Sequence, residues 1–596
     1  MAFQVSPGVV IQERDLSTII PSVATTPAGL AGYFQWGPCD QRVLVDSESN
    51  LLALFGAPDD SSFPFFFSAA NFLNYGNNLQ VIRVVDSNSK NAVAGATSTD
   101  LSILIKNDDV WDAGTSSGTV VYSGSNAAAY FAAKYPGPLG NSFKIEVCDT
   151  VASFNAWSLS GQFSSAPNTS TFTLGYGGTG DEIHVVVIDQ DGKFSGQTGT
   201  ILEKFEGLSK ATDARRSDGS SNYYVQVLAD ESKYVYWLNH PTGVSVHSAL
   251  HGGTSAYGSI SSVANSYSWG GTAASSASIT GGLSLEFIGG TASRPATDSS
   301  IAPSSGNNYG YGLFADPDFV DVSLLISGPL DADASNNIAA IALARKDCIA
   351  FSSPQVSNPT ATAATKYNTC ITHRNTIGNN SYGFIDTGYK YQYDRYNDVY
   401  RWVPLNADIA GLCARTDLTN DPWWSPAGFN RGQIRGVIKL AYNPAAAERD
   451  NLYLKSVNPV VTFPGDGTVL YGDKTAQTKP SAFDRINVRR LFIILEKAIA
   501  IGARYQLFEF NDNFTRALFV SMVEPFLRDV QARRGLVNFK VICDETNNTS
   551  AVIDANRFVA DIYIQPSRSI NYLQLNFTAT RSGVSFEEIG AVSNPR

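Results

Sequence analysis

The chain runs to 596 residues, too long for one hydrophobic core, and its length favours about three to five domains. Its formal net charge is -11 at pH 7, with 54 Asp and Glu against 43 Lys and Arg, which argues against a nucleic acid as the main partner because a duplex binder needs a basic footprint. Only 16% of its residues are charged, and with 50 Gly and 27 Tyr this points to a β-rich chain with much of its surface against other protein.

Residues 2–20 read as extended from their Val and Ile content and from Pro7. A terminal strand with no neighbour either frays or pairs with something distant. Residues 25–85 are denser in signal. Two strands flank Gly37-Pro38, a short helix over 48–55 closes at Gly56, an aromatic-rich helix covers 63–74, and LQVIRVV (79–85) is a strand apolar on both faces. This β-β-α-α-β order with short loops predicts an α/β core.

From about 86 to 327 the composition shifts to Ser, Gly, Thr, Ala and Tyr. Residues 134–147 read as a turn-rich entry to a strand, 170–189 as a hairpin, 223–228 and 234–238 as strands, and 251–310 as long Gly- and Ser-rich loops. One or two β-rich modules are thus expected as an insertion, because α/β patterning resumes afterwards. It does so with a strand over 320–326, a helix over 334–345 and a strand over 348–351. A Tyr-rich stretch (381–402) follows, and then a helix leading to Trp423 and Trp424, set between Pro422 and Pro426 as a rigid aromatic corner. A short helix is expected over 445–454, and 458–469 leads through Gly465 and Gly467 into the C-terminal block.

That block carries the clearest pattern. Ile486, Leu491, Leu495, Ala498 and Ile499 recur at helical spacing, with Gly502 as punctuation. After the apolar run 505–510, Asn511-Asp512-Asn513 supplies an N-cap for a helix over 514–534 burying Phe514, Leu518, Met522, Phe526 and Val530. Pro525 predicts a kink or break inside it, and Gly535 its C′ end. Strands are expected over 539–543 and 558–564, and Leu573, Leu575 and Phe577 begin another alternation. Arg528, Arg533 and Arg534 crowd the end of the second helix. They are either a solvated helix end that suits the macrodipole or a basic ridge facing an acidic protein partner.

Sites for small molecules are weak. G-x-G-x-x-G over 175–180 precedes a strand, not the helix whose N-terminus a phosphate needs, and Asp473 interrupts a P-loop-like run over 467–475. Neither His240, His247 and His251 nor Cys370 with His373 has the spacing of a zinc site, and no G-x-S-x-G elbow is present. The expectation is no cofactor, no metal and no catalytic residue. The six Cys are scattered, without a C-x-x-C pair, and read as reduced, mostly buried thiols of a protein made in the cytoplasm. The start MAFQVSPGVV lacks the features of a signal peptide, and no apolar run approaches the ~18 residues of a membrane span.

The order INVRRLFIILEKAI, ARYQLFEFND, FLRDVQARRGLVNFKVICDETNN is similar to the C-terminal domain of the contractile tail sheath proteins of tailed bacteriophages (myovirus type). SPGVVIQERD resembles their N-terminal opening. LALFGAP with FLNYGNNLQVIRVVD, then KYPGPLGNSFKIEV, and ADIAGLCARTDLTNDPWWSPAGFNRG resemble their middle. The resemblance spans both ends and the middle, about half the chain, whereas 86–300 is carried only by position.

The resemblance implies a multidomain α+β / α/β fold with an α/β sheath core and an inserted, outer β-rich region. Its divisions would be an N-terminal arm (1–23), a middle α/β domain (24–86 with 320–484), inserted outer domains (87–319), an inner α+β domain against the tube (485–581) and a C-terminal arm (582–596). It further implies a structural subunit that polymerises helically around a tail tube and contracts to drive that tube through a host envelope. Val5, Val9, Val10 and Ile11 in one arm and Val584, Phe586 and Ile589 in the other would complete sheet edges in neighbouring copies, and Arg528, Arg533 and Arg534 would face the tube. Expected partners are further copies of the chain, the tail tube protein, and baseplate and tail terminator proteins, with no nucleic acid and no membrane insertion. The place is the virion, with assembly in the host cytoplasm. The sheath of a phage-derived bacteriocin or secretion machine is the alternative within this class. A β-rich carbohydrate-binding or degrading tail component is the alternative outside it, without the paired carboxylates or internal repeat it would need.

Overall fold

A computed structural model describes residues 24–95, 103–117, 129–175, 180–211, 214–238, 283–304, 308–358 and 360–571, together with 574. Val5, Val9, Val10, Ile11, Val584, Phe586 and Ile589 lie outside the described residues, as do Leu573, Leu575, Phe577 and the three His of 240–251.

The α/β patterning on either side of the insertion forms one sheet. Its six strands run in the order Gly383–Ile385, Ile349–Ser352, Leu324–Ile326, Ala28–Gly32, Leu79–Arg83, Arg42–Val45. All neighbours are parallel except the last pair. The local signals act as expected. Ser47 caps the helix Glu48–Phe55 by accepting from the Asn50 amide at 3.3 Å, and Gly56 closes it at φ 76°. Asp331 caps the helix Ala332–Arg345 through the Ala334 amide at 2.9 Å. The helices Phe63–Leu73 and Asn406–Thr419 pack on one another within the same core, which the helix Ala363–Ile377, capped by Thr362 and closed at Gly378, also enters although the sequence reading does not expect it.

The region between forms a second sheet of seven strands, every pair antiparallel. Its order is Thr200–Ser209, Glu182–Asp189, Phe143–Cys148, Leu283–Ile288, Asn91–Ala94, Phe131–Pro136, Val235–Trp237. The fold is therefore a mixed α/β core with a β-rich insertion, as the patterning implied. Three local readings are corrected. Residues 170–189 are no hairpin: a short helix, Thr171–Gly175, precedes the strand, and the Asp181 carboxylate accepts from the Ser170 amide and hydroxyl at 2.8 and 2.7 Å. Residues 223–228 are not a strand but part of the helix Tyr224–Glu231, because Tyr224, Val227 and Leu228 share one buried face. Within 251–310, Leu283–Ile288 is not a loop but a central strand, with Phe287 buried in the sheet core.

Arg83 joins the two sheets. Its guanidinium is fully buried with no carboxylate beside it, and it donates to the carbonyls of Phe34 (2.8 Å), Gly37 (2.8 Å), Gln35 (3.0 Å) and Pro136 (2.6 Å). Trp36 crosses the same seam, edge-on to Tyr135, Phe143 and Phe194 of the inserted sheet. All six Cys are buried and free.

Deep in the α/β core Asp386 accepts from Ser353 Oγ at 2.7 Å and from the Gly388 amide at 2.7 Å. Burial pushes its carboxyl up to about 8, against those two hydrogen bonds. A raised carboxyl favours the folded state fully below the unfolded carboxylate range and loses that contribution as pH climbs toward about 8. Asp386→Asn, which mimics the neutral acid, should flatten the dependence of melting temperature on pH between 5 and 8, with its largest gain over the parent at pH 8. Thermal melts at three pH values check this, and parallel profiles would sink it.

Candidate assembly interface

The C-terminal unit is built on two helices. In Ile486–Ala503, Ile486, Leu491, Leu495 and Ala498 are buried and Ile499 is partly so, but Gly502 lies inside the helix instead of ending it. Asp512 caps the next helix, Asn513–Ala532, accepting from the Thr515 amide at 2.8 Å. Its buried face is rotated from the expected one. Phe519, Met522, Val523, Leu527 and Val530 point inward, Leu518 and Phe526 are only partly covered, and Phe514 is exposed. The helix runs continuously through Pro525, which sits on the exposed side. At its end the left-handed position is taken by Arg534 (φ 67°), not by Gly535. The Gly535 amide donates to Val530 O at 2.9 Å and the Arg534 amide to Gln531 O at 3.0 Å, a Schellman closure.

Gly535 is small for a different reason. A Cβ there would lie 2.6 Å from Val530 Cγ1 and 3.1 Å from the Trp423 indole. Trp423 is the aromatic corner seen in the sequence, and it reaches out of the α/β body into the C-terminal core, donating from Nε1 to Arg533 O at 3.0 Å. Arg489 and Arg490, which charge counting alone would place on the surface, are internal anchors. Arg490 pairs with buried Asp417 at 2.5 Å, and Arg489 stacks over Phe483 and Tyr382 while donating to Ser381 Oγ at 2.8 Å.

Beyond the helices lies a two-stranded antiparallel ribbon, Leu536–Ile542 with Asp561–Pro566. Phe539, Val541, Ile562 and Ile564 cover the helices, whereas Asn538, Lys540, Tyr563 and Gln565 face outward. Among the described residues neither outer edge of this ribbon has a strand partner. A short helix, Ser550–Asp554, connects the two strands without a clear signal in the sequence.

The three candidate arginines do not form one free cationic ridge. Arg528 is exposed, with Glu524 3.9 Å away. Arg533 is held by Asp421 at 2.7 Å and Asp529 at 3.0 Å while its guanidinium lies 5.0 Å from the Trp423 ring. Arg534 lies over Trp424 at 5.9 Å. A neighbouring surface escapes sequence reasoning. The apolar run before the helix is not covered: Tyr505, Leu507, Phe508, Phe510 and Phe514 are between 64% and 105% exposed. Such a concentration of open aromatic surface marks an interaction face.

Among the described residues no group of three or more His, Cys, Asp and Glu could hold a metal ion, and no helix is long and apolar enough to cross a membrane. His373 is buried beside Ser352 Oγ at 3.1 Å, and burial pushes its imidazole down to about 4.

The C-terminal unit thus carries a ribbon without a further strand partner among the described residues and a cluster of open aromatic side chains, surfaces suited to contact with other protein. Three family descriptions match in chain order: "Tail sheath protein Gp18 domain III N-terminal region" over residues 25–84, "Phage tail sheath protein central domain" over 324–476 and "Phage tail sheath C-terminal domain" over 478–580. The chain is 35% identical to the tail sheath protein of Vibrio phage KVP40 and 34% identical to that of Enterobacteria phage T4, in each case over 98% of this chain and 99% of the relative. The crystal structure of a sheath tail protein from Listeria innocua shares the fold, with a TM-score of 0.50 and 12% identity over 91% of this chain and 96% of that one. The chain belongs to the phage tail sheath family and is a structural component of a phage tail.

Gly535→Ala tests the seam between body and C-terminal unit. The added methyl must displace Val530 or the Trp423 ring, and overpacking of this kind costs about 1–3 kcal/mol. A lower melting temperature is expected, and an unchanged one would show that the seam has slack.

Proposed function

We propose that this chain is the contractile sheath subunit, polymerising helically around the tail tube and shortening to drive that tube through the host envelope. The observation that carries the reading is the C-terminal ribbon, neither edge of which has a strand partner among the described residues. Residues 1–23, with Val5, Val9, Val10 and Ile11, and residues 582–596, with Val584, Phe586 and Ile589, each have the length and composition of an added strand. Two edges and two arms, supplied by neighbouring copies, complete a four-stranded sheet at every joint. Head-to-tail contacts that do not close generate a helical array of this kind.

The division of labour follows. Residues 24–86 with 320–484 form the middle domain, 87–319 the outer insertion, and 485–581 the inner domain against the tube. Contraction is then rigid-body rearrangement of subunits whose arms stay paired while lateral packing changes. The energy is stored at assembly and released from the baseplate without nucleotide hydrolysis, so the chain acts without a catalytic site. Toward the tube we assign Arg528, exposed beside Glu524, as the cation for an acidic counter-surface, with Arg533 and Arg534 holding the corner that positions its helix. Baseplate and terminator proteins cap the array, which forms in the host cytoplasm and remains in the virion.

The full chain should form hollow striated tubes in negative stain, and removing residues 1–15 or 582–596 should abolish them while leaving the melting temperature unchanged. Tubes from both truncated proteins would sink strand exchange. Arg528→Glu should still form tubes yet fail to sediment with tail tube, and normal co-sedimentation would remove Arg528 from that contact.

A further inference from the structure

Asp473 is the residue that spoils the phosphate-loop pattern, and the structure gives it other work. Its buried carboxylate accepts five hydrogen bonds from separate parts of the chain. Oδ1 takes Arg485 Nη1 (2.8 Å), the Tyr453 hydroxyl (3.0 Å) and Asn571 Nδ2 (3.2 Å). Oδ2 takes Ser569 Oγ (2.9 Å) and Ser425 Oγ (3.2 Å). Two carboxylate oxygens offer about four lone-pair positions, so this group is saturated. The Tyr453 hydroxyl also receives Arg485 and, at 2.7 Å, Asn571, while the Lys474 ammonium lies 4.3 Å from its ring. Burial alone would raise the Asp473 carboxyl, but the charge of Arg485 and the bonds from Ser569, Asn571 and Arg485 hold it below the usual carboxylate range.

The segments that meet here matter more than their number. Ser425 belongs to the aromatic corner, Tyr453 ends the helix Ala446–Leu454, and Arg485 immediately precedes the helix Ile486–Ala503, whose first amide donates to Asp473 O at 2.9 Å. Ser569 and Asn571 come directly after the ribbon strand Asp561–Pro566 and lead toward residues 582–596. The chain thus leaves the ribbon, returns to the α/β body, and is fastened there before it goes on.

We infer that Asp473 is the anchor of the C-terminal arm: by tying residues 569–571 to the α/β body it makes the arm depart from a fixed point, so that it meets a neighbour's ribbon pre-positioned. The inference rests on the strand-exchange reading. Fixing the base of a tether lowers the ordering cost of its binding and raises the effective concentration of its far end. Pull on the arm also reaches the body directly, without passing through the small ribbon.

The test removes the tail side of the junction and leaves the Asp473–Arg485–Tyr453 core intact. In the full-length chain Ser569→Ala with Asn571→Ala should lower the melting temperature only slightly, speed amide hydrogen exchange over 567–571, and raise the critical concentration for tube formation about tenfold. A critical concentration equal to the parent's overturns the anchor, whatever the exchange shows. If the parent itself forms no tubes, the strand-exchange reading has failed. The exchange measurement then decides the anchor alone, and unchanged protection of 567–571 overturns it.

Discussion

A two-stranded ribbon is too small a sheet to be stable in water without further support, and the rest of this structure depends on how that deficit is met. One face of the ribbon is supported from within: Phe539, Val541, Ile562 and Ile564 lie on the two long helices. Its edges have no strand partner among the described residues. Natural sheets blunt exposed edges because they invite uncontrolled pairing. Here Lys540 and Gln565 stand on the outer face, and among the described residues neither edge has a strand partner. A helical polymer turns that liability into address. On the strand-exchange reading each copy is completed by others.

Such a unit must be carried by something stiff, and the α/β body supplies it through devices that are polar as often as apolar. The buried Arg83 is compensated by four carbonyl oxygens, drawn from both sides of the seam, and by the Cys39 sulfur, so the two sheets cannot separate without stranding a charge in the interior. Arg490 with Asp417 does the same between body and C-terminal helices. Breaking one member of a buried pair costs far more than the pair contributes, so these contacts resist slow drift and favour discrete positions. Trp423 adds the apolar half of the same joint. The C-terminal unit therefore rides on the body as one piece, which a mechanism based on rigid-body rearrangement requires.

Much of this is legible in the sequence because local chemistry and global packing agree. Ser47, Asp331 and Asp512 cap helices whose periodicity starts where they stand. The resumption of α/β patterning after residue 320 correctly implies an insertion, because strands 28–32 and 324–326 are neighbours in one sheet. The misreadings have physical causes. Tyr224–Leu228 is short enough to satisfy both a period of two and a period of 3.6, and burial of Tyr224, Val227 and Leu228 decides for helix. Phasing the helix that begins at Asn513 on Phe514 assumes that large apolar side chains are inside. Phe514 and Phe508 are outside, which no periodicity can show. Arg489 and Arg490 look like surface charge because their partners, Ser381, Tyr382 and Asp417, are about seventy to a hundred residues away in the chain. Asp473 is visible in the sequence only through the motif it breaks, since its five donors come from four separated segments.

The magnitudes also say what kind of arm can work. Ordering about six residues into a strand costs on the order of 1–2 kcal/mol each in backbone entropy. The inter-strand hydrogen bonds gained return only about 0.5–1.5 kcal/mol apiece, because the free arm is already bonded to water. Backbone pairing alone therefore leaves the arm unbound. The difference has to come from side chains, at about 1.5–3 kcal/mol for each Val, Ile or Phe taken out of water. On the strand-exchange reading that is why Val9 and Ile11 in one arm and Val584 and Phe586 in the other recur at alternate positions: they are the residues that can extend the apolar face already laid down by Phe539, Val541, Ile562 and Ile564. The net gain per joint is then small, because apolar burial and chain ordering nearly cancel. A lattice of many such joints can be locked when all are made, yet remain able to exchange one lateral packing for another without any joint being lost.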